Sequence, residues 1–224
     1  MTFIDLSHTI ENGMVTYPGL PGPIVCDYLS REAARGRYAP GVEFHIGKIE
    51  MVANTGTYLD SPFHRYAKGA DLSALRLESL AGLPTIVVRA PWKDRRDIGR
   101  AAFEDHSVSG MAVLVHTGWD VNWRTERYLH GHPFLTGDAA EYLLSQGVAL
   151  VGIDSVNIDD VGDLARPVHS ILLGAGVPIV EHMCNLAALP DEGGRFFAVP
   201  AKVAGFGSWP VRAFAEVRSE KREE

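Results

Sequence analysis

The stretch Asn54-Thr55-Gly56-Thr57-Tyr58-Leu59-Asp60-Ser61-Pro62-Phe63-His64 decides the interpretation of this chain. Residues 42–52 come before it, and their alternating apolar and β-branched side chains predict a strand that leads into the stretch. A turn rich in Gly, Thr, Asp and Pro can aim several side chains at one point, as catalytic loops require. Asp60 and His64 are therefore the first candidates for chemistry.

Composition limits the classes of protein that this chain can represent. It has 224 residues, of which 46% are hydrophobic and 22% charged, and its formal net charge is −7. Such a balance is typical of a globular protein and argues against binding to nucleic acid or an anionic membrane surface. Two cysteines, no apolar run of about 20 residues and no leader-like N-terminus predict a reduced, cytoplasmic protein.

Strand and helix patterns interleave along the chain and predict one α/β domain over residues 1–217. Strands are predicted at residues 1–6, 42–52, 85–89, 112–116, 148–153, 178–181, 195–203 and 211–217. Helices are predicted at about 71–80, 99–105 and 136–146, and the third of them has Thr136 as its cap and Gly147 at its end. Residues 12–23 form a Gly- and Pro-rich loop, and the mixed charges of residues 218–224 predict a disordered tail.

Two further clusters are candidates for a functional role. His169 and Glu181 stand twelve residues apart on either side of a Gly- and Pro-containing segment. Residues 152–155, Gly-Ile-Asp-Ser, lie at the carboxyl end of a predicted buried strand, where α/β proteins often place functional side chains.

The stretch 54–64 resembles the signature H-x-G-T-H-x-D-x-P-x-H of the putative cyclase family, which includes bacterial kynurenine formamidases and isatin hydrolases. Further matches are spread over the chain. They are Asp5-Leu6-Ser7-His8, Tyr17-Pro18-Gly19, Thr117-Gly118-Trp119, Gly131-His132-Pro133, Gly152-Ile153-Asp154, His169, and Glu181 with Asn185-Leu186. The resemblance extends from about residue 4 to residue 205. It implies a mixed β-sheet flanked by helices, a homodimer or homotetramer, and hydrolysis of a small amide or lactone.

The resemblance also implies a set of metal ligands. Asn54 and Tyr58 stand where the family has the two histidines of its first metal site, so that site is expected to be absent. Asp60, His169 and Glu181 match the ligands of the second site, and one His with two carboxylates suits one Zn²⁺ or Mn²⁺. A metal-free polar network formed by the same three residues is the alternative.

Three functional hypotheses follow from these residues. In the first, the protein hydrolyses a small amide, lactam or lactone, with His64 as general base and with Asn54 and Tyr58 as hydrogen-bond donors to the oxyanion. In the second, it is a metal-free lyase, cyclase or isomerase that uses His64 and Tyr58 as an acid–base pair. In the third, it binds a small molecule without catalysis. Candidates for the apolar wall of the substrate site are Tyr17, Phe63 and Trp119.

Overall fold

The computed structural model of this protein describes residues 1–218. The strands of these residues are β1 (Thr2–Asp5), β2 (Ile24–Leu29), β3 (Ile46–Glu50), β4 (Tyr58–Asp60), β5 (Ala81–Arg89), β6 (Asp97–Ile98), β7 (Ala112–His116), β8 (Phe134–Leu135), β9 (Leu150–Ile153), β10 (Ile179–Glu181), β11 (Glu192–Phe197), β12 (Ser208–Pro210) and β13 (Phe214–Val217). The α-helices are α1 (Arg31–Ala34), α2 (Gly137–Ser145) and α3 (Pro167–Gly174). Single 3₁₀ turns lie at Pro62–His64, Leu77–Ser79, Arg100–Ala102, Trp119–Asn122, Glu126–Leu129 and Leu186–Ala188.

Nine of these strands form one mixed sheet in the order β1-β13-β11-β5-β7-β9-β10-β4-β12. The four central strands β5, β7, β9 and β10 run parallel to one another, and the remaining pairings of this sheet are antiparallel. β7 and β9 are buried throughout or almost throughout, which explains why both read as continuous apolar runs. The predicted α/β class with one mixed sheet is confirmed.

Alternate side chains of the central strands pack into two cores on opposite faces of the sheet. On one face, Val113 and Val151 pack with Leu143 of α2 and Leu172 of α3. On the other face, Leu114 and Leu150 pack with the loop and strand residues that cover it. Gly152 lies under this second layer, where a Cβ atom would come within 2.6 Å of the Met183 Sδ atom. Only glycine fits at this position of β9, because the side chain of Met183 fills the space.

The strand predicted at residues 42–52 forms, but it lies outside the main sheet. Its ordered part, β3, pairs with β2 in a separate two-stranded sheet, and every residue of β3 is exposed. Exposed apolar side chains on this hairpin include Ile24, Tyr28 and Ile49. The strand β4 that carries the signature is a separate element of the main sheet. The alternating pattern therefore predicted the strand correctly and says nothing of which sheet it joins.

Two of the three predicted helices are corrected by the structure. Residues 71–80 and 99–105 contain only the 3₁₀ turns Leu77–Ser79 and Arg100–Ala102. In the first segment, the Asp71 carboxylate accepts the N–H groups of Ser73 and Ala74, an Asx-type bond that competes with helix formation. The third helix is confirmed as α2, with a left-handed Gly147 after its end. Thr136 occupies the N-cap position, but its hydroxyl donates to Asp138 and makes no capping hydrogen bond.

The helix α3 was not predicted, because its start depends on a distant residue. Pro167 occupies its first turn, and the N–H groups of Val168 and His169 donate to the Asp159 carboxylate at 2.7 and 3.0 Å. No local capping residue signals this start, since Arg166 occupies the N-cap position with φ +48° and makes no side-chain cap. The short strands β2, β4, β6, β8 and β12 were not predicted either.

The charged tail predicted at residues 218–224 lies almost entirely outside the described residues, which end at Arg218. Between residues 1 and 218, no helix has both the length and the apolar character needed to cross a membrane.

Candidate active site

The short strand β4 brings the first two parts of the site together. It lies between β10 and β12, with Tyr58 opposite Glu181 and with Asp60 opposite Ser208 in the antiparallel registers. Directly opposed side chains of antiparallel strands have their Cβ atoms about 5 Å apart. Strand pairing alone therefore joins the signature to Glu181, which lies more than a hundred residues later in the sequence.

The helix α3 supplies His169 and fixes the orientation of its ring. The Nδ1 atom of His169 lies 2.6 Å from the Asp159 carboxylate, and Asp159 itself is fully buried. Because an ionised carboxylate only accepts hydrogen bonds, Nδ1 carries the proton and the other ring nitrogen, Nε2, is left for a second partner. A histidine that donates one ring N–H to a carboxylate in this way is typical of metal ligands.

Two carboxylates face the Nε2 atom of His169. The distance from Nε2 to Asp60 Oδ2 is 3.7 Å, and the distance to Glu181 Oε1 is 3.6 Å. Both exceed a normal hydrogen bond, yet they approach the separation of about 3.4 Å between ligand atoms of one tetrahedral ion. Asp60 Oδ2 is buried and has no hydrogen-bond partner in the described chain. Both predicted carboxylate ligands therefore lie close to His169 Nε2, and the unpartnered Asp60 oxygen fits a bound cation.

The electrostatics of His169 agree with a site for positive charge. Burial lowers the pKa of His169, but the Asp159 hydrogen bond and the Asp60 and Glu181 carboxylates outweigh it and raise that pKa to about 10. Burial, opposed by the charge of His169 and reinforced by that of Asp60, raises the pKa of Glu181 to about 7. Three buried carboxylates, those of Asp60, Asp159 and Glu181, surround His169, and positive charge on an imidazolium or a metal ion offsets their repulsion.

His64 is held by a residue that the sequence did not single out. Ser208 Oγ donates its one proton to Asp60 Oδ1, because the ionised carboxylate can only accept. The same Oγ lies 2.8 Å from His64 Nδ1 and therefore accepts the Nδ1–H of the ring. This arrangement assigns the tautomer of His64 and leaves a lone pair on its Nε2. The His64 side chain is 36% exposed, whereas that of His169 is 7% exposed.

A glycine allows this contact to form. A Cβ atom on Gly207 would lie 2.5 Å from the backbone N and Cα atoms of His64, so only glycine fits there. The carbonyl of Gly207 also accepts the Ser61 N–H at 2.7 Å. The segment before β12 thus packs against the 3₁₀ turn Pro62–His64 and places Ser208 beside the imidazole.

Ser208→Ala is expected to lower kcat roughly 10-fold, with little change in KM. The loss removes one hydrogen bond that orients His64 and one that binds Asp60, and a bond to a charged group contributes about 1.5–3 kcal/mol. Steady-state kinetics measures the split between kcat and KM. An unchanged kcat, with thermal unfolding confirming an intact fold, would contradict the positioning role assigned to Ser208.

The shortest hydrogen bond of the Tyr58 hydroxyl is to Glu181. The hydroxyl donates to Glu181 Oε2 at 2.5 Å and lies 3.1 Å from the hydroxyl of Tyr17. Asn157 Nδ2 donates to Tyr17 at 3.1 Å, and the Ile158 N–H donates to Glu181 Oε1 at 2.7 Å. Tyr58 thus directs its proton at Glu181, and it would have to release Glu181 before it could donate to an oxyanion.

These residues surround a cavity of about 280 Å³, a size that suits a small molecule. Six of the predicted site residues line it: Tyr17, Asn54, Tyr58, His64, His169 and Glu181. The other lining residues were not predicted and are Leu20, Arg65, Asn157 and Arg166. Asn54 is half-buried, so its amide is available to a ligand.

Two of the predicted substrate-binding residues lie away from this cavity. Trp119 is buried in a separate aromatic cluster with Tyr128, to whose carbonyl its indole N–H donates at 2.9 Å. Phe63 is half-buried in the turn beside His64 and is not part of the cavity wall. Asp154, from the third sequence cluster, accepts the N–H groups of Thr117 and Gly118 and shapes that turn instead.

Another grouping of possible metal ligands includes His64. One ligand atom from each of Asp60, His64 and His169 lies within 4.8 Å of the other two. Glu181 does not belong to that group, although its Oε1 atom lies 3.6 Å from the Nε2 atom of His169. His64 is the more exposed histidine and its Nδ1 is taken by Ser208, whereas Glu181 is buried beside His169.

A mixed sheet flanked by helices carries, at a small cavity, a buried cluster of one histidine and two carboxylates that could hold a divalent cation, an arrangement typical of enzymes. The model of the putative cyclase family matches residues 4–160, more than half of the chain, and the chain belongs to that family. The family predicted from the signature is thereby confirmed.

Individual relatives agree with this assignment. The chain is similar to kynurenine formamidase of Bacillus cereus, with 26% identity over 212 residues that cover 94% of this chain and 95% of the relative. Isatin hydrolase A of Labrenzia aggregata bound to benzyl benzoate has a TM-score of 0.82 at 22% identity, covering 97% of this chain and 94% of that one. A potential metal-dependent hydrolase with cyclase activity has a TM-score of 0.79 at 24% identity, with 98% and 99% covered. The solved structures share the fold.

Proposed function

We propose that this protein is a hydrolase that cleaves the C–N bond of a small amide or lactam, or the C–O bond of a lactone, with His64 as general base. The observation that carries the proposal is the chain of contacts Asp60–Ser208–His64, which leaves a lone pair on His64 Nε2 at a cavity of small-molecule size. The kynurenine formamidase relative and the isatin hydrolase neighbour support hydrolysis at a C–N bond.

His64 moves the proton in this mechanism. Its Nε2 takes a proton from water as the water oxygen attacks the carbonyl carbon, and neutral imidazole suits that task near pH 7. The protonated ring then returns the proton to the leaving nitrogen or oxygen as the bond to the carbonyl carbon breaks. Ser208 accepts the Nδ1–H throughout, which holds the ring in one orientation.

The charge that develops on the carbonyl oxygen needs a donor. Asn54 lines the cavity and has two amide N–H groups, so we assign it to the oxyanion. Tyr58 is assigned instead to Glu181, which it binds at 2.5 Å. The two residues that replace the signature histidines therefore have different roles. Asn54 faces the substrate, and Tyr58 holds the Glu181 carboxylate in place.

Asp60, His169 and Glu181 fit a divalent cation, as the unpartnered Asp60 oxygen and the Asp159–His169 hydrogen bond indicate. Such an ion, when bound, supplies positive charge that polarises a carbonyl or activates water. Zn²⁺ and Mn²⁺ both suit one imidazole and two carboxylates.

The second hypothesis, a metal-free lyase, cyclase or isomerase that uses His64 and Tyr58, has less support. Burial and the charge of Glu181 raise the pKa of Tyr58 well above its usual value, and the hydroxyl is already bonded. A group in that state exchanges protons poorly near neutral pH. The homodimer or homotetramer stays a prediction, supported by the exposed apolar side chains of the β2–β3 hairpin.

Hydrolysis is tested in ¹⁸O-labelled water with a panel of N-formyl anilides, lactams and lactones and with protein prepared in Zn²⁺ or Mn²⁺. We expect turnover that leaves one ¹⁸O atom in the product acid. Turnover without incorporation would favour the lyase or isomerase hypothesis. No turnover of any compound, with a ligand retained through purification, would favour a binding protein.

A further inference from the structure

We infer that the substrate carries a carboxylate, which Arg166 binds and Arg65 assists at the same cavity. This inference rests on the proposed hydrolase function and names the class of its substrate. Neither arginine belongs to the signature, and neither has a part in the proton transfer described above. Both lie next to residues that do: Arg65 follows His64, and Arg166 precedes His169 by three positions.

Arg166 is a half-buried guanidinium with most of its donors unused. Its Nη1 donates to the carbonyl of Asp160 at 2.9 Å, which fixes the side chain along the cavity wall. A guanidinium has five N–H donors, and within residues 1–218 Arg166 forms no ion pair with a carboxylate. A half-buried cation normally has an anionic partner, since burial without one is costly. A carboxylate on the ligand would accept hydrogen bonds from the unused N–H groups of Arg166 and balance its charge.

The backbone of Arg166 supports the same conclusion. The residue has φ +48° and ψ +60°, a left-handed conformation that is unusual for arginine. Such strained residues persist where the surrounding structure over-determines them and cluster at ligand sites. Here the conformation places the guanidinium at the cavity while Pro167 begins α3.

Arg65 provides a second cation that is held in position. Its guanidinium carbon lies 5.1 Å from the centre of the Tyr66 ring, and its Nε lies 3.4 Å from Ser170 Oγ. The Tyr66 hydroxyl donates to the Ser170 carbonyl at 2.9 Å, so the ring is itself anchored to α3. Arg65 is exposed and likewise forms no ion pair with a carboxylate of the described chain. Its role is to add positive charge at the open side of the cavity.

The charge of the cavity contrasts with that of the whole protein. The chain has a formal net charge of −7, yet the wall of this cavity has two guanidinium groups and one carboxylate, that of Glu181. The Glu181 carboxylate is directed at Tyr58, Ile158 and His169, and it therefore faces away from an incoming anion. Cations in a cleft raise the local concentration of anionic ligands and increase their rate of association.

The test uses two formanilides with different para substituents, a carboxylate in 4-formamidobenzoate and a neutral carboxamide in 4-formamidobenzamide, and it follows release of formate from the formamide group. Each compound is assayed with wild type, Arg166→Gln, Arg166→Lys, Arg65→Gln and the control Arg76→Gln, which alters an exposed arginine that does not line this cavity. We expect wild type to prefer the benzoate. Arg166→Gln should raise the KM for the benzoate about 10- to 100-fold and change the KM for the benzamide much less, because only the benzoate loses a charge-assisted bond. Arg166→Lys should retain part of the preference.

Binding of the same two compounds by calorimetry separates this inference from the proposed function. If neither compound is hydrolysed but wild type binds the benzoate more tightly and Arg166→Gln does not, the charge selection holds and the hydrolase proposal is in question. Equal binding of the two compounds would overturn the inference. So would a benzoate preference that survives both Arg166→Gln and Arg65→Gln, since it would assign the carboxylate to another cation.

Discussion

Replacing His64 with alanine is expected to lower kcat by about 10²- to 10⁴-fold, the range that a positioned general base contributes. The imidazole is the group at the cavity whose Nδ1 is fixed by Ser208 and whose Nε2 is left with a lone pair. Alanine leaves water without a proton acceptor and should change KM little. Steady-state kinetics on a substrate from the hydrolysis panel measures the effect.

Two comparisons sharpen this experiment. His130→Ala removes an exposed histidine that does not line the cavity and should leave kcat unchanged. Metal content of the His64→Ala protein, measured by elemental mass spectrometry, should equal that of wild type if Glu181 rather than His64 completes the ligand set. Full activity of His64→Ala would exclude His64 as the base. Loss of metal together with activity would show that His64 is itself a metal ligand.

Asp60→Asn is expected to abolish metal binding, from roughly one equivalent per chain in wild type to little or none, and to abolish hydrolysis with it. The variant keeps the volume of the side chain but removes the negative charge from a fully buried position between Ser208 and His169. Elemental analysis after expression with Zn²⁺ and Mn²⁺ measures the change, and thermal unfolding shows whether the fold survives.

The pH dependence of metal binding gives an independent check on the same cluster. The neighbouring carboxylates raise the pKa of His169 to about 10 against the opposing effect of burial, so a metal must displace a proton from its ring. Metal affinity is therefore expected to rise with pH and to fall as protons compete at low pH. Wild type that binds no metal at any pH, and whose turnover resists chelators, would contradict the assigned ligands and leave catalysis to His64 and Asn54.

Sequence patterns predicted the central sheet well, because its strands are buried on both faces. Strands β7 and β9 read as apolar runs without alternation, and α2 begins after Thr136 and ends before a left-handed glycine, Gly147. The helices predicted at residues 71–80 and 99–105 were wrong. In the first segment, the Asp71 side chain accepts backbone N–H groups locally and competes with helix formation. Strand β3 was predicted from the alternation of apolar side chains, but that pattern does not indicate that its partner is β2.

The residue types of the site follow from the sequence by itself: the signature 54–64 identifies Asp60 and His64, and the family pattern adds His169 and Glu181. Their functions depend on tertiary contacts. Ser208 sets the tautomer of His64, Asp159 sets that of His169, and Tyr58 donates to Glu181. Each of these bonds joins segments that are set side by side by strand register or helix packing. A local sequence pattern can report which chemical groups are present, but only the folded backbone decides which of them lie within hydrogen-bond distance.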